Sequence, residues 1–365
     1  MSGAPIKISV RKEQFPVGKM MLAEFGEIIV SGFLYPSGVR ALRIKNSRGE
    51  MVVLPFLGQK VWEAKFDGRD LRWRSPVKEP KQTRDFLSNF GSFLVHCGMS
   101  AMGSPGPGDN HPIHGELTNA LYDSAYIDAG EDAQGRYIGV GGRYLHSAAF
   151  GHNYRAEPYA RLYEHESVIH FKMRVNNLKQ TPMEYLYLAH INFLPVDDGR
   201  FVYSATYDSQ HVKVRASFPG HMVPTDHLKN FVNDLVRNPG LHHTLTAEQT
   251  FDPEIVFMID FRADEGGWAH SMFVHPDGTA DYVAHQPAQL DHGIRWISRT
   301  PDQQALGMEV GTAEVDGFNA EKKKGNVKVL QPGGEFVCEY VAGLLPAESA
   351  AAMEKKIEKT MGRSS

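Results

Sequence analysis

The chain has 365 residues, of which 39 are Lys or Arg and 43 are Asp or Glu, so its formal net charge is −4 at pH 7. This near-balance predicts no binding to nucleic acid or to an acidic membrane, because both are recognised by an excess of positive charge. The length allows a large buried core, and the charge favours a small, neutral or weakly charged substrate.

Membrane insertion and secretion are not expected from the apolar patterning. No apolar run approaches the roughly 18 residues of a membrane span, and residues 1–15 lack the apolar stretch of a signal peptide. The only two cysteines, Cys97 and Cys338, each lie in an apolar run, which predicts two buried thiols in a reducing compartment. We therefore expect a cytoplasmic protein.

The first part of the chain reads as a series of short strands. Asp67 and Gly68 give the strongest hairpin signal. Turn residues recur about every ten residues, which is typical of all-β proteins. The strands predicted here are 39–44, 50–57, 61–66 and 71–73.

The same rhythm continues to the end of the chain. Further strand regions are predicted at 136–150, 159–178, 183–194, 200–218, 254–262, 268–275, 280–285, 305–315 and 326–344. Residues 167–175 alternate strictly between apolar and polar, as a half-buried strand does.

Helical pattern is scarce. Residues 224–236 are predicted to form a short helix capped by Thr225 or Asp226, and residues 346–361 to form a surface helix. No linker divides the chain. We predict one β-sandwich domain, 1–365, with a core at about 35–345 and an N-terminal extension at 1–30.

A Gly/Pro-rich loop, 103–110, precedes the segment His111-Pro112-Ile113-His114-Gly115. Glycine after His114 allows close backbone approach and an unusual turn, which suits a ligand-facing position. A loop histidine that merely caps a turn is the alternative.

Three later positions are also candidates for chemistry. His190 and Asn192 share one face of an apolar strand, which indicates either a polar pocket in a sheet or a satisfied core histidine. Glu309 stands alone in a run of small residues, where it is a candidate for a desolvated general base or a hydrogen-bonded buried acid. Asp252 begins an ordinary Asp-Pro turn at the mouth of a strand.

At these residues the sequence resembles the aldose 1-epimerase (galactose mutarotase-like) superfamily, and it looks closest to the DUF4432 branch. The order His, His, Asp, Glu and the spacings agree over roughly 35–345. The segments that carry the resemblance are 68–76, 97–99 with 114–119, 188–193, and 307–309 followed by 327–335.

The resemblance implies a large antiparallel β-supersandwich with few short helices, and an isomerase that interconverts sugar anomers through the open-chain form. Glu309 would take the proton of the anomeric hydroxyl, and His190 would protonate the ring oxygen. His114 and Asp252 would hydrogen-bond the sugar. No metal or organic cofactor is required.

Other residues complete the predicted substrate site. Asn192 would contribute to its polar face. Trp73 would offer an apolar platform to sugar C–H groups, although core packing is its alternative role. No secure counterpart of the family's binding arginine is found, and Arg74 or Arg84 could supply it.

The chain departs from the family pattern at two places. Glu116 stands where the closest branch has an arginine after His-Gly, which favours a neutral sugar. The match of Asp252 is the weakest of the four, and Asp260 or Asp197 could replace it.

Two other functions remain open from the sequence. One is a non-catalytic sugar-binding protein on the same fold, since fold alone does not fix function. The other is a different sugar or sugar-acid isomerase or lyase that binds a metal through His111 and His114. Open sheet edges are compatible with a homodimer.

Overall fold

A computed structural model describes residues 4–220 and 222–363. It contains 46% strand and 13% helix. The predicted all-β class with few short helices is confirmed.

The strands form two large sheets in which all strand pairs are antiparallel. One sheet has ten strands and the other thirteen. In spatial order, the ten-stranded sheet contains β1 (Ile6–Val10), β9 (Ser124–Asp132), β10 (Gly135–Ser147), β11 (Asn153–Tyr163), β12 (Val168–Asn177), β23 (Glu335–Leu345), β19 (Ala280–His285), β18 (Ala269–Val274), β14 (Gly199–Tyr203) and β16 (Thr244–Leu245). The thirteen-stranded sheet contains β15 (Val212–Val214), β17 (Phe251–Ile259), β20 (His292–Arg299), β21 (Gln304–Gly311), β13 (Met183–Phe193), β8 (Leu94–Met99), β6 (Val61–Phe66), β5 (Gly49–Val53), β4 (Arg40–Lys45), β3 (Ile28–Leu34) and β2 (Met20–Phe25), with β22 (Lys328–Leu330) beside β13 and β7 (Arg69–Asp70) beside β6.

The main core lies between the two sheets. Strand β12 shows how each sheet contributes to it, because buried residues alternate with partly exposed ones along its length, as predicted. Phe171 of β12 and Ile191 of β13 belong to the same buried cluster although they lie in different sheets. Each side chain of this size that is fully buried contributes about 1.5–3 kcal/mol to folding.

A second buried cluster lies on the outer face of the thirteen-stranded sheet. Val95 and Cys97 of β8 and Leu186 and Leu188 of β13 belong to it. Their immediate neighbours point to the main core, since adjacent residues of a strand face opposite sides. Both faces of these central strands are therefore covered, which removes water from side chains on either side.

Three α-helices lie around the sheets: α1 (Asp226–Arg237), α2 (Phe318–Lys324) and α3 (Ala347–Met361). Thr225 caps α1 by accepting a hydrogen bond from the backbone N–H of Leu228, as predicted. Helix α3 confirms the predicted C-terminal helix, whereas α2 was not predicted. No helix in the described part of the chain is long and apolar enough to cross a membrane.

The structure differs from the predicted strand pattern in several regions. Strands β8, β9 and β20 lie in regions that were not predicted as strands. The strand predicted at 50–57 ends at Val53, where the chain turns toward β6. Strands β1 and β2 and the first three residues of β3 lie within the predicted N-terminal extension, yet β1 and β2 form edges of the two sheets.

A buried lysine ties together the loops that flank the outer face. The ammonium of Lys60 donates to Asn119 Oδ1 at 2.6 Å and to the carbonyl of Asn89 at 3.2 Å. Asn89 also donates to Asn119. Burial lowers the pKa of Lys60 to about 7, because a charged ammonium loses its hydration there.

This lysine should make stability depend on pH. The unfolded chain keeps a proton on Lys60 up to about pH 10.5, whereas the folded chain releases it near pH 7. The free energy of unfolding should therefore rise between these values, by about 1–3 kcal/mol from pH 7 to pH 9, relative to Lys60→Met. Urea denaturation of both proteins at the two pH values measures this difference, and parallel curves would contradict it.

Candidate active site

A pocket of about 160 Å³ opens on the outer face of the thirteen-stranded sheet. Adjacent strands β17, β20, β21 and β13 form its floor. Loops at 86–90, 104 and 113–114 form its walls. The residues that line it are Trp73, Phe86, Leu87, Phe90, Ser104, Ile113, His114, His190, Arg215, Met222, Pro253, Glu254, Val256, Ile294, Trp296, Gln303, Glu309 and Val315.

His190 and Glu309 face each other across two paired strands. The antiparallel register of β13 and β21 joins Ala189 to Val310 and Asn192 to Gly307. His190 and Glu309 therefore fall opposite one another on the outer face. His190 Nδ1 lies 3.2 Å from Glu309 Oε1, and the two residues are only 4% and 2% exposed.

Burial favours the neutral forms of both His190 and Glu309. It lowers the pKa of His190 well below its ordinary value, and the nearby His114 adds to this shift. It raises the pKa of Glu309 well above its ordinary value, and the nearby Glu254 adds to that shift. Although His190 Nδ1 and Glu309 Oε1 lie 3.2 Å apart, they are not aligned for a hydrogen bond to each other, and neither atom makes one elsewhere in the described chain. The His190 imidazole and the Glu309 carboxyl group thus lie side by side, each with one atom available for a hydrogen bond to a ligand.

Glu254 and Arg215 form an ion pair at one side of the pocket. Arg215 donates to Glu254 Oε1 at 2.5 Å, and Trp296 Nε1 donates to Glu254 Oε2 at 2.7 Å. The side chains of Arg215 and Glu254 are only 10% and 11% exposed. The pair places a carboxylate and a guanidinium in the pocket with their charges balanced.

His114 lies against His190 at the pocket wall. Their ring centroids are 5.0 Å apart, and Phe86 contacts His114 at the same distance. The backbone of His114 is left-handed, with φ of 59°. A Cβ on Gly115 would stand 2.3 Å from the carbonyl oxygen of Ala101, so this His-Gly turn requires glycine. Burial lowers the pKa of His114 to about 3.

Aromatic rings surround His190. Phe90 lies 5.1 Å and Trp296 5.5 Å from its ring, and Trp73 packs on both aromatic residues at 4.7 and 5.5 Å. These rings exclude water and offer flat apolar surfaces. The indole Nε1 of Trp73 is buried without a hydrogen-bond partner among the described residues.

The lack of a side chain at Gly307 leaves space for the carboxyl group of Glu309. Both residues face the pocket because they are two positions apart on β21. A Cβ on Gly307 would stand 2.3 Å from Glu309 Oε1 and 3.0 Å from the Cβ of Trp296. The carboxyl group therefore occupies the space that a side chain at 307 would need.

Four of the residues predicted from the sequence line this pocket: Glu309, His190, His114 and Trp73. Asn192 is fully buried and does not line it. Its amide donates to the carbonyls of Ser92 and His190, so it supports the strand that carries His190.

Three other predicted residues lie outside the pocket. Asp252 is exposed, whereas Glu254, two residues along the same strand, lines the pocket. Arg74 is exposed, and its backbone pairs with Gln304. Glu116 accepts hydrogen bonds from the backbone of Met99 and from other neighbours, so it braces the His-Gly loop.

The sequence reasoning missed Arg215, Glu254 and Trp296 as pocket residues. Glu254 begins the strand predicted at 254–262, directly after the Asp252-Pro253 turn. This position inside a strand is the sequence signal that could have identified it. Arg215, rather than Arg74 or Arg84, is the arginine that lines the pocket.

The residues of the metal alternative make other contacts in the described chain. His111 lies 3.6 Å from Asp109 and accepts a bond from the backbone of Phe318. The one group of three close metal-type side chains among the described residues is Glu314, Asp316 and Glu321. The ammonium of Lys324 already contacts all three carboxylates.

Comparison with known families supports the resemblance noted in the sequence. Residues 36–211 match the model of DUF4432, a domain of unknown function. The matched segment contains His114 and His190 but ends before Glu254 and Glu309. No curated protein sequence matches the chain.

Solved structures with the same fold cover most of the chain. A protein from Klebsiella pneumoniae, provisionally named an aldose 1-epimerase, is 19% identical with a TM-score of 0.81, over 98% of this chain and 96% of its own. Galactose mutarotase-like proteins from Clostridium acetobutylicum and Lactobacillus casei are 14% and 12% identical, with TM-scores of 0.58 and 0.55. They cover 87% and 83% of this chain and 98% and 99% of their own. At these identities the likeness shows the galactose mutarotase-like fold.

The position of Gly307 generates a structural test. Gly307→Ala should displace the carboxyl group of Glu309, because a flexible side chain moves more readily than the backbone. The imidazole NMR signals of His190, assigned with a His190→Gln variant, should then shift, while stability changes by no more than about 1–2 kcal/mol. Gly18→Ala, which meets no atom within 4 Å, is the control. Unchanged His190 signals in Gly307→Ala would contradict this account.

The buried carboxyl group generates a second test. The folded pKa of Glu309 is raised, so the folded chain holds a proton that the unfolded chain releases above about pH 4.5. Wild-type stability should therefore fall relative to Glu309→Gln as the pH rises from 4.5 to 7. Denaturation curves across this range measure the difference, and a constant difference would show that Glu309 titrates normally.

Proposed function

We propose that this protein is a carbohydrate epimerase of the mutarotase type, which interconverts the anomers of a sugar. The observation that carries the proposal is the set of unpartnered polar atoms around one pocket. Nδ1 of His190, Oε1 of Glu309, Nδ1 of His114 and Nε1 of Trp73 are buried without hydrogen-bond partners in the described chain. Such atoms are costly unless a ligand satisfies them, and sugar hydroxyls both donate and accept.

The reaction needs one proton removed and one delivered. In the ring form of the sugar, ionised Glu309 takes the proton from the anomeric hydroxyl while protonated His190 gives its proton to the ring oxygen. The bond between the ring oxygen and the anomeric carbon breaks, and a carbonyl group forms. Rotation of the carbonyl and the reverse transfers close the ring with the opposite configuration.

The electrostatics of the His190–Glu309 pair favour the open-chain form of the sugar. Ring opening leaves Glu309 protonated and His190 neutral, which are the forms that burial favours. The pocket therefore lowers the cost of reaching the open-chain sugar. Hydrogen bonds from sugar hydroxyls to the carboxylate support the charged pair while the ring form is bound.

The remaining pocket residues fit the binding of a sugar. Trp73, Phe90 and Trp296 offer flat surfaces for the C–H groups of a ring, and His114 offers a neutral imidazole to a hydroxyl. The Glu254 carboxylate, already held by Arg215, can accept from a further hydroxyl. The balanced charges of that pair favour a neutral sugar.

Anomer exchange should disappear when the acid–base pair is broken. Glu309→Gln and His190→Gln should each lower the catalysed rate by about 10²–10⁴-fold, because the amide replaces a group that exchanges protons. Saturation-transfer NMR across a panel of aldoses, ketoses, sugar phosphates and uronic acids measures the rate.

A matched substitution separates this effect from general damage. Glu348 is exposed on α3, so Glu348→Gln should keep the wild-type rate. Circular dichroism should show all three variants folded. Wild-type rates in folded Glu309→Gln would remove Glu309 from the reaction, and sugar binding without any acceleration would favour the non-catalytic alternative.

A further inference from the structure

A larger cavity, here called the outer basin, adjoins the proposed catalytic pocket. It has a volume of about 560 Å³, compared with about 160 Å³ for the pocket. Its walls are the Gly/Pro loop at 104–107, the segment at 215 and 217–220, and Val315 with Asp316. This Gly/Pro loop is evident in the sequence, which predicts no ligand for it.

The two cavities adjoin and share part of their walls. Ser104, Arg215 and Val315 line both of them. A ligand whose reacting end lies against His190 and Glu309 can therefore extend past Arg215 toward the outer basin. The pocket alone is smaller than the roughly 300–1,000 Å³ typical of ligand sites, whereas the outer basin lies within that range.

The charges of the outer basin are already paired. Arg215 binds Glu254, and Asp316 contacts Lys324 at 2.6 Å. Among the described lining residues no other side chain is charged. A phosphate or carboxylate on the ligand would thus find no free cation among these described residues, and they favour a neutral group.

The uncharged lining has the mixed character that a sugar ring needs. The hydroxyls of Ser104 and Ser217 make no hydrogen bond to the described chain and can bind sugar hydroxyls. Pro105, Pro219 and Phe218 present flat apolar surfaces to C–H groups. Both kinds of surface stand within one cavity.

We infer that the preferred substrate is a neutral reducing disaccharide. Its reducing sugar occupies the catalytic pocket, and its second sugar unit, joined away from the anomeric carbon, occupies the outer basin. This inference rests on the proposed function, because anomer exchange requires a free anomeric hydroxyl on the sugar in the catalytic pocket.

Paired substrates test the inference with the full-length protein. Saturation-transfer NMR should give kcat/KM values for maltose, cellobiose and lactose against those for glucose and galactose. The best disaccharide should exceed its own monosaccharide by about tenfold or more, since contacts in the outer basin add binding energy. Ser217→Trp should fill the basin and remove most of this ratio.

A control variant and the combination of results distinguish the disaccharide inference from the proposed function. Ser209 is exposed and lies outside both cavities, so Ser209→Trp should preserve the wild-type ratio. If monosaccharides are accelerated as well as disaccharides and Ser217→Trp leaves the ratio unchanged, the disaccharide inference falls and the epimerase remains. If no sugar in the panel is accelerated, the proposed function falls with it.

Discussion

The antiparallel pairing of β13 with β21 is the constraint on which the candidate site depends. It sets His190 opposite Glu309 at a separation of 3.2 Å. The backbone ladder fixes which positions face each other, and the rings of Phe90 and Trp296 pack around the His190 side chain. The pair can therefore keep its polar atoms free for a ligand, at the cost of two ionisable groups buried with little support.

The thirteen-stranded sheet uses its two faces for different purposes. One face supplies the core against the other sheet, and the opposite face carries the pocket under a shell of aromatic side chains. Packing on both faces restricts the motion of this floor and limits its contact with water. Burial in this environment shifts the pKa values of His190 and Glu309 toward their neutral forms, and holding two ionisable groups there lowers stability.

The sequence predicted much of the fold and part of the site. Strand alternation revealed that His190 and Glu309 could occupy pockets in sheets, and the family resemblance related them to one another. Alternation shows which face a residue occupies but not which strands are neighbours. Trp296 was missed because its strand was not predicted, and Arg215 because it follows a strand of only three residues. Glu254 was passed over for Asp252, since a cue based on an Asp-Pro turn cannot locate the inward-facing residue.

The His190–Glu309 pair and the outer basin are formed by different kinds of structure. His190 and Glu309 lie on strands whose register the core fixes, whereas the outer basin is formed by the Gly/Pro loop at 104–107 and the segment at 217–220. Loops tolerate insertions and substitutions that strands do not. Under the proposed function, substitutions in these loops would change which sugar unit fits beside the pocket, while the strands that carry His190 and Glu309 would stay as they are.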